Sequence, residues 1–183
     1  MQIKNIVASI MIIFFENTLA GAPLNKYSHK FVDKRFGEIV IGKGPHKLKK
    51  IKNIYGKGFF SKYNDQLCYF NEELNQYLDF FIGPDDSIEG ILVSYKSPGA
   101  ECKRAVTHKK GGFCSEKGIC LGTSYSKLMK IYGKPHKVKR TKEEVQVEYH
   151  TDYKQDPQVS LAYDSSYKFK RGKLFELMVW DGE

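Results

Sequence analysis

The side chains whose chemistry this sequence constrains most are its four cysteines, Cys68, Cys102, Cys114 and Cys120. An even number of cysteines in an exported chain is typical of a disulfide framework. Of the three pairings, we expect Cys102–Cys114 and Cys68–Cys120, because the first bond would order the Gly- and Lys-rich segment between its two cysteines. The main alternative joins Cys114 to Cys120 and Cys68 to Cys102.

The side chains that could perform catalysis lack the partners that such chemistry needs. Ser124 precedes a helix-like segment, but the second glycine of a Gly-x-Ser-x-Gly elbow is absent, and a helix cap explains the hydroxyl group. Glu143-Glu144 and Asp85-Asp86 lie in turn-like segments, whereas an acid/base pair needs two environments that separate the pKa values. We therefore expect no catalytic residue, and a hydrolase is the lesser alternative.

A zinc site is the competing interpretation of the cysteines. Such sites are typically built from closely spaced Cys-x-x-Cys pairs, and this sequence contains none. The histidines stand in unrelated contexts, at His29, His46, His108, His136 and His150. We expect neither a metal nor another cofactor.

The chain is basic, with a formal net charge of +9. The side chains that we expect to bind anions form two clusters, Lys47, Lys49 and Lys50 in one and Lys137, Lys139 and Arg140 in the other. The acidic partners that an exported protein meets are envelope polymers, lipid surfaces and acidic proteins, so we expect no nucleic-acid partner. The alternative is that these charges only solvate the surface.

Residues 1–20 resemble an export signal. Lys4 precedes the apolar run from Ile6 to Phe15, and Thr18-Leu19-Ala20 fits a cleavage site. A membrane-spanning helix needs about 20 apolar residues, so this run is too short to be one. We expect a periplasmic or secreted protein with no transmembrane segment after cleavage, and an uncleaved anchor is the alternative.

An internal repeat emerges when the sequence is compared with itself. Three matches recur in the same order: Ile39–Gly42 with Ile119–Gly122, Lys47-Leu48 with Lys127-Leu128, and Tyr55–Lys57 with Tyr132–Lys134. A duplication explains this order better than chance. It divides the chain into a signal peptide 1–20, an N-terminal extension 21–35, a first repeat 36–95, a linker 96–117 and a second repeat 118–183.

Each copy is predicted to contain a strand, a short helix and three further strands. In the second copy Ser124 can cap the helix, Leu128 and Tyr132 share its apolar face, and Gly133 can end it. The strands expected after the helices are Gln66–Phe70, Tyr77–Ile82 and Ile88–Tyr95 in the first copy, and Val145–His150, Val159–Tyr163 and Leu174–Trp180 in the second. The predicted class is α+β, as two tandem β-α-β-β-β repeats with short helices packed on antiparallel sheet.

This pattern resembles the tandem-repeat family of β-lactamase inhibitor proteins and, more loosely, the small lipoprotein of the outer-membrane barrel-assembly machinery. The residues that carry the resemblance are Gly122–Leu128 with Tyr132–Pro135, and Gly42–Gly56 in the first copy. The resemblance implies an exported, non-catalytic scaffold that grips a partner with an aromatic-lined sheet. It carries no specific target over to this chain.

Strand alternation predicts which side chains such a sheet would present. If Leu78 and Val179 face the helices, the opposite face carries Tyr77, Phe81, Leu92, Met178 and Trp180. An exposed apolar patch usually marks an interaction site, although these rings would also suit a second layer of core. We expect an extracytoplasmic protein partner in an inhibitor-like or immunity-like role, and a polyanion or envelope-surface binder is the alternative.

Overall fold

An eight-stranded antiparallel sheet with two short helices on one face organises the chain in the computed structural model. The structure describes residues 35–42, 47–61, 65–107, 109–156 and 159–182, and for residues 47, 151–156, 159–162 and 182 it describes the backbone alone. The predicted signal peptide 1–20 lies outside these ranges. The predicted α+β class is confirmed.

The elements follow one another along the chain in two similar series. The first comprises β1 (Arg35–Phe36), β2 (Ile39–Val40), α1 (Lys47–Tyr55), β3 (Phe59–Ser61), β4 (Gln66–Asn71), β5 (Gln76–Ile82) and β6 (Ile88–Ser94). A linker with a short 3₁₀ helix (Ala100–Arg104) leads to the second, which comprises α2 (Tyr125–Tyr132), β7 (Lys137–Arg140), β8 (Glu144–Asp156), β9 (Val159–Lys170) and β10 (Lys173–Gly182).

The order of strands in the main sheet is β3-β4-β5-β6-β10-β9-β8-β7, with every neighbouring pair antiparallel. Each helix is followed by four consecutive strands. The last strand of each series meets the other at the centre, where Leu92 pairs with Met178 and Gly90 with Trp180. A single sheet therefore runs through both halves.

Two parts of the predicted strand pattern differ from the structure. The strand expected to open each copy is minimal, since β2 pairs with β1 outside the main sheet and Cys120 forms one isolated bridge with Cys114. The prediction also lacks β3 and β7. These strands are short, and neither gives a clear apolar alternation, because β7 is exposed at all four positions.

Both helices pack their apolar faces on the same side of the sheet. Ile51 of α1 and Leu128 of α2 are completely buried, in one continuous core with Leu78 and Leu177 of the sheet. Ser124 caps α2, since its Oγ accepts a hydrogen bond from the amide of Lys127 at 3.2 Å. The predicted cap is thus confirmed. Each helix packs on the sheet through the apolar face that its sequence pattern predicts.

The same three-ring cluster joins helix to sheet in each half. The rings are Tyr55, Tyr69 and Phe80 in the first half, and Tyr132, Tyr149 and Tyr167 in the second. The helical tyrosine lies 5.3 Å from its nearer partner in both cases, measured between ring centroids. Tyr69 donates its hydroxyl hydrogen to the carbonyl of Gly56 at 3.0 Å, and Tyr149 donates to Gly133 at 2.9 Å. Each bond satisfies a backbone carbonyl at a helix end.

The disulfides are Cys68–Cys102 and Cys114–Cys120, so the expected pairing is wrong and the alternative holds. The 3₁₀ helix folds back over β4, which brings the Cα of Cys102 to 5.8 Å from that of Cys68. Cys114 and Cys120 face each other across an antiparallel bridge, with Cα atoms 4.3 Å apart. Both separations suit a disulfide, and the two bonds are consistent with an oxidising, extracytoplasmic environment.

Candidate binding face

The face of the sheet turned away from α1 and α2 is called the open face here. Strand register arranges its side chains in rows that cross all eight strands. The central row contains Phe59, Cys68, Asp79, Leu92, Met178, Ser166, Glu148 and Lys137. Along this row the side chains are mainly apolar from Phe59 to Met178 and polar or charged from Ser166 to Lys137.

Four of the five residues predicted to bind a partner lie together on this face. Leu92 and Met178 are paired across the central strands, and Phe81 and Trp180 lie on either side of Gly90 in the next row. A Cβ atom added at Gly90 would come within 3.1 Å of Phe81 and 3.2 Å of Trp180. The missing side chain therefore leaves room on the open face between Phe81 and Trp180. We call Phe81, Leu92, Met178 and Trp180 the apolar patch, and each is half-buried.

Tyr77, the fifth predicted residue, is not part of an open surface. It lies on the same face, but only 3% of it is exposed. Its ring stacks on Phe70 with centroids 4.7 Å apart, and both pack against the Cys68–Cys102 disulfide. The predicted face of Tyr77 is right, but the predicted exposure is wrong. Strand alternation assigns a residue to a face without showing which segment covers that face.

The covering segment is the linker, which is ordered by backbone pairing rather than being a free loop. The amide of Phe70 donates to the carbonyl of Ala105 at 2.8 Å, and the amide of Thr107 donates to the carbonyl of Phe70 at 2.9 Å. Further along, Asn71 Nδ2 donates to the carbonyl of Gly111 at 2.8 Å. The linker therefore crosses from the open face to the helix-bearing face around the outside of β4.

Ion pairs occupy the charged half of the open face. Glu148 accepts contacts from Lys139 at 3.1 Å and Lys137 at 3.9 Å. Lys168 lies 2.6 Å from Glu176, and His150 pairs with Asp164, which is the neighbour of Trp180 across β9 and β10. Sequence analysis did not identify these pairs, because their members come from different strands. These ion pairs border the apolar patch on its β9 side with both acidic and basic side chains.

The six predicted anion-binding residues do not form one surface. Lys137 and Lys139 lie on the open face, whereas Arg140 lies on the other, 5.8 Å from the ring of Tyr125. The remaining three, Lys47, Lys49 and Lys50, belong to α1, and Lys50 lies 3.9 Å from Glu38. The side chain of Lys47 is outside the described set. Lys137 and Lys139 share the single carboxylate of Glu148, and the other residues lie on α1 or on the opposite face, so the six do not act together as one anion-binding surface.

Asp79 is the least expected residue on the open face. It stands in the middle of β5 with only 1% of its surface exposed, and neither carboxyl oxygen has a hydrogen-bond partner among the described residues. Burial raises the pKa of Asp79 to about 7, because desolvation penalises the charged form. The only sign of this buried acid in the sequence is one Asp among the apolar residues of β5.

Ser124, the serine considered above as a nucleophile, has a structural role. Ser124 is engaged as a helix cap, and its Oγ also lies 3.1 Å from that of Ser126. Among the residues with described side chains, no group of three or more His, Cys, Asp or Glu residues is arranged to hold a metal ion.

Comparison with known proteins gives little further information. No protein-family model matches the chain, and no curated protein matches its sequence. Among solved structures, it is similar to a DUF4309 family protein, YjgB, from Bacillus subtilis, with 12% sequence identity over 80% of this chain and 84% of that one and a TM-score of 0.45. This likeness carries no functional assignment.

None of the helices in the described ranges combines the length and the apolar character needed to cross a membrane.

Proposed function

We propose that this protein is an exported, non-catalytic binding module that holds a protein partner on its apolar patch. The observation that carries the proposal is the position of Phe81 and Trp180 on either side of Gly90, where both large side chains are half-buried on the open face. Half-buried aromatic side chains in the centre of a surface are the usual anchors of protein interfaces.

The chemistry around the patch favours a protein over a polymer or a lipid surface. The charges beside Trp180 alternate in sign, as Asp164 pairs with His150 and Glu176 with Lys168. An apolar centre beside a mixed polar rim is typical of protein–protein interfaces, whereas a polyanion would need unpaired cations of one sign. The partner is expected to present an apolar surface with matching charges at its border.

The proposed compartment is the periplasm or the extracellular space. Two disulfides support it, together with the apolar run from Ile6 to Phe15. In that compartment, an inhibitor or an immunity-like protector would act by occupying a partner's surface, which needs no chemistry of its own.

We further propose that the two halves arose by duplication of one unit, on a scaffold like that of the β-lactamase inhibitor proteins. The matched rings and the matched tyrosine-to-glycine hydrogen bonds support this proposal. The amide of Gly42 donates to the carbonyl of Ile88, and that of Gly122 donates to Leu174, at corresponding positions of the two halves. Such a duplicated scaffold can take a new partner without changing its core.

The test of the function is site-specific cross-linking at the patch. A photo-reactive amino acid replaces Met178, and the protein is incubated with the envelope fraction of its source cell. The expected result is one cross-linked species, which Trp180→Ala reduces at least tenfold while Tyr95→Ala leaves it unchanged. Tyr95 is a matched control because it is an exposed aromatic residue that alternation places on the helix-bearing face.

The thermal unfolding of both variants is measured in parallel, so that a folding defect is distinguished from a lost contact. Equal cross-linking by wild type and a folded Trp180→Ala variant would contradict the proposal. The experiment is repeated at two salt concentrations, because apolar contact tolerates salt. A steep loss of cross-linking with added salt would instead indicate the polyanion binder.

A further inference from the structure

A cavity of about 340 Å³ lies on the open face beneath the linker, separate from the apolar patch. Its walls come from β3, β4, β5 and the start of the 3₁₀ helix, and the Cys68–Cys102 disulfide closes one side. Phe59 and Pro98 contribute apolar surface, and Ser61 and Glu101 contribute polar groups. This size is within the range that small-molecule sites occupy, which is roughly 300–1,000 Å³.

Asp79 lines this cavity from the sheet. Because the residue is 1% exposed, its carboxyl group belongs to the interior end of the cavity and not to the outer surface. Both oxygens lack a hydrogen-bond partner among the described residues. A buried carboxylate without a partner is costly, and such a group in a folded protein calls for an explanation.

The charge of the cavity wall is opposite to that of the whole chain. The wall contains the carboxyl groups of Asp79 and Glu101 and no lysine or arginine, although the chain carries a net charge of +9. Glu101 is already paired with Arg104 at 3.1 Å and its side chain is 52% exposed, so Asp79 is the acid of this wall that has no partner among the described residues. The cavity is therefore complementary to a cation.

The remaining wall determines what kind of cation fits. A hard metal ion is usually held by several oxygen ligands that include more than one carboxylate, whereas the wall adds to its two acids only the neutral Ser61 and Gln66 and the apolar Phe59, Pro98 and Ala100. Apolar groups next to an acid suit an ion with a hydrocarbon body and one charged end. A primary ammonium group on an alkyl chain has this form and can donate three hydrogen bonds.

We propose that this cavity binds an alkylammonium group, with the nitrogen against the carboxylate of Asp79 and the alkyl chain against Phe59 and Pro98. Two sources share this chemistry, a free aliphatic amine and the lysine side chain of a peptide. The proposal is independent of the apolar patch, since none of the four patch residues lines the cavity.

The binding should depend on pH in a defined direction. The groups that face Asp79 from adjoining elements are Gln66 and Cys68 on β4, Leu92 on β6, Phe59 and Ser61 on β3, and Glu101 and Cys102 on the 3₁₀ helix. Glu101 is the one further carboxylic acid in this set, and the two cysteines are bonded to each other. The pKa of Asp79 is raised to about 7, so an ammonium ion must displace a proton below that pH. The affinity should therefore fall by up to about tenfold per pH unit below 7.

The experiment is isothermal titration calorimetry of the full protein with two probes, cadaverine and the blocked peptide acetyl-Gly-Lys-Gly-amide. We expect at least one probe to bind, about tenfold more tightly near pH 8 than near pH 6. Binding of cadaverine alone assigns a free amine, and binding of the peptide assigns a lysine side chain. The absence of heat and of thermal stabilisation with both probes at millimolar concentration overturns the proposal.

Two variants separate the site from general attraction to acidic residues. Asp79→Asn keeps the shape of the side chain and is expected to abolish binding, and Glu101→Gln is expected to weaken it severalfold. Asp86→Asn removes the same charge from the exposed turn between β5 and β6 and should bind as wild type does. Equal binding by wild type and Asp79→Asn overturns the proposal. If Asp79→Asn does not fold, the pH dependence of the wild type decides: an affinity that does not change between pH 6 and pH 8 also overturns the proposal.

Trp180→Ala should retain amine binding, so failure of the apolar-patch proposal and failure of the cavity proposal give different results.

Discussion

At the scale of single residues, Asp79 makes the free energy of unfolding depend on pH. Its pKa is about 7 in the folded protein and 3.8 in its ordinary state, so the folded state binds the proton more tightly. The stability that comes from this group is complete below about pH 4 and is lost as the pH rises towards 7. Each unit of pKa difference corresponds to about 1.4 kcal/mol, so the total loss is on the order of 4 kcal/mol.

Replacing Asp79 by Asn should remove this dependence, because the amide does not ionise. We expect Asp79→Asn to be more stable than wild type near pH 8, by roughly 2–4 kcal/mol, and to approach wild-type stability near pH 4. Urea unfolding at several pH values, with Asp86→Asn as the control, measures the difference. A difference between Asp79→Asn and wild type that stays constant over this pH range would show that Asp79 is ionised with little penalty.

At the scale of elements, the two disulfides have unequal tasks. Cys68–Cys102 closes a loop with a sequence separation of 34 and fixes the linker over the open face, whereas Cys114–Cys120 spans a separation of only 6. In the chain-entropy model these loops correspond to about 4 and about 2 kcal/mol of stabilisation.

We therefore expect Cys68→Ser with Cys102→Ser to lower the free energy of unfolding by more than Cys114→Ser with Cys120→Ser. The first pair of substitutions should also release the 3₁₀ helix and expose Tyr77, which faster amide exchange in residues 99–104 would report. Mass mapping of the unreduced protein should return the two observed bridges and no thiol that reacts. Equal losses of stability in the two double variants would mean that the linker stays in place without its covalent bond.

The sequence predicts elements well where their signals are local and poorly where a distant segment decides. Ser124 and Gly133 mark the ends of α2 correctly, and the alternation in β5, β6 and β10 assigns Leu78, Leu92 and Met178 to the right faces. The path of the linker has no such signal, because its pairing with Phe70 depends on backbone groups that every sequence possesses. The expected disulfide pairing and the expected exposure of Tyr77 were both wrong for this reason.

At the scale of the whole molecule, the central pairing of β6 with β10 joins the halves into one cooperative unit. One buried cluster contains Ile51 and Phe80 from the first half and Leu128 and Tyr167 from the second. Among the described residues this main core is shared by both halves, and the second buried cluster is limited to Tyr77, Phe70 and the Cys68–Cys102 disulfide. Small single domains of this kind usually unfold in one step.

The single tryptophan offers a direct measurement of this prediction, because Trp180 lies on β10 where the halves meet. We expect the urea transitions followed by its fluorescence and by far-UV circular dichroism to coincide. A fluorescence change that precedes the loss of circular dichroism would show instead that the halves separate before they unfold.

The two outermost strands have a further consequence for a protein built on one wide sheet. An unpaired strand edge can recruit the edge of another molecule and start a fibre. Here β7 carries Lys137, Lys139 and Arg140, whose like charges repel a second copy, and β3 is only three residues long. Beyond β3, the linker occupies the free side of Phe70. Both ends of the sheet therefore carry features that oppose edge-to-edge pairing with a second copy of the chain.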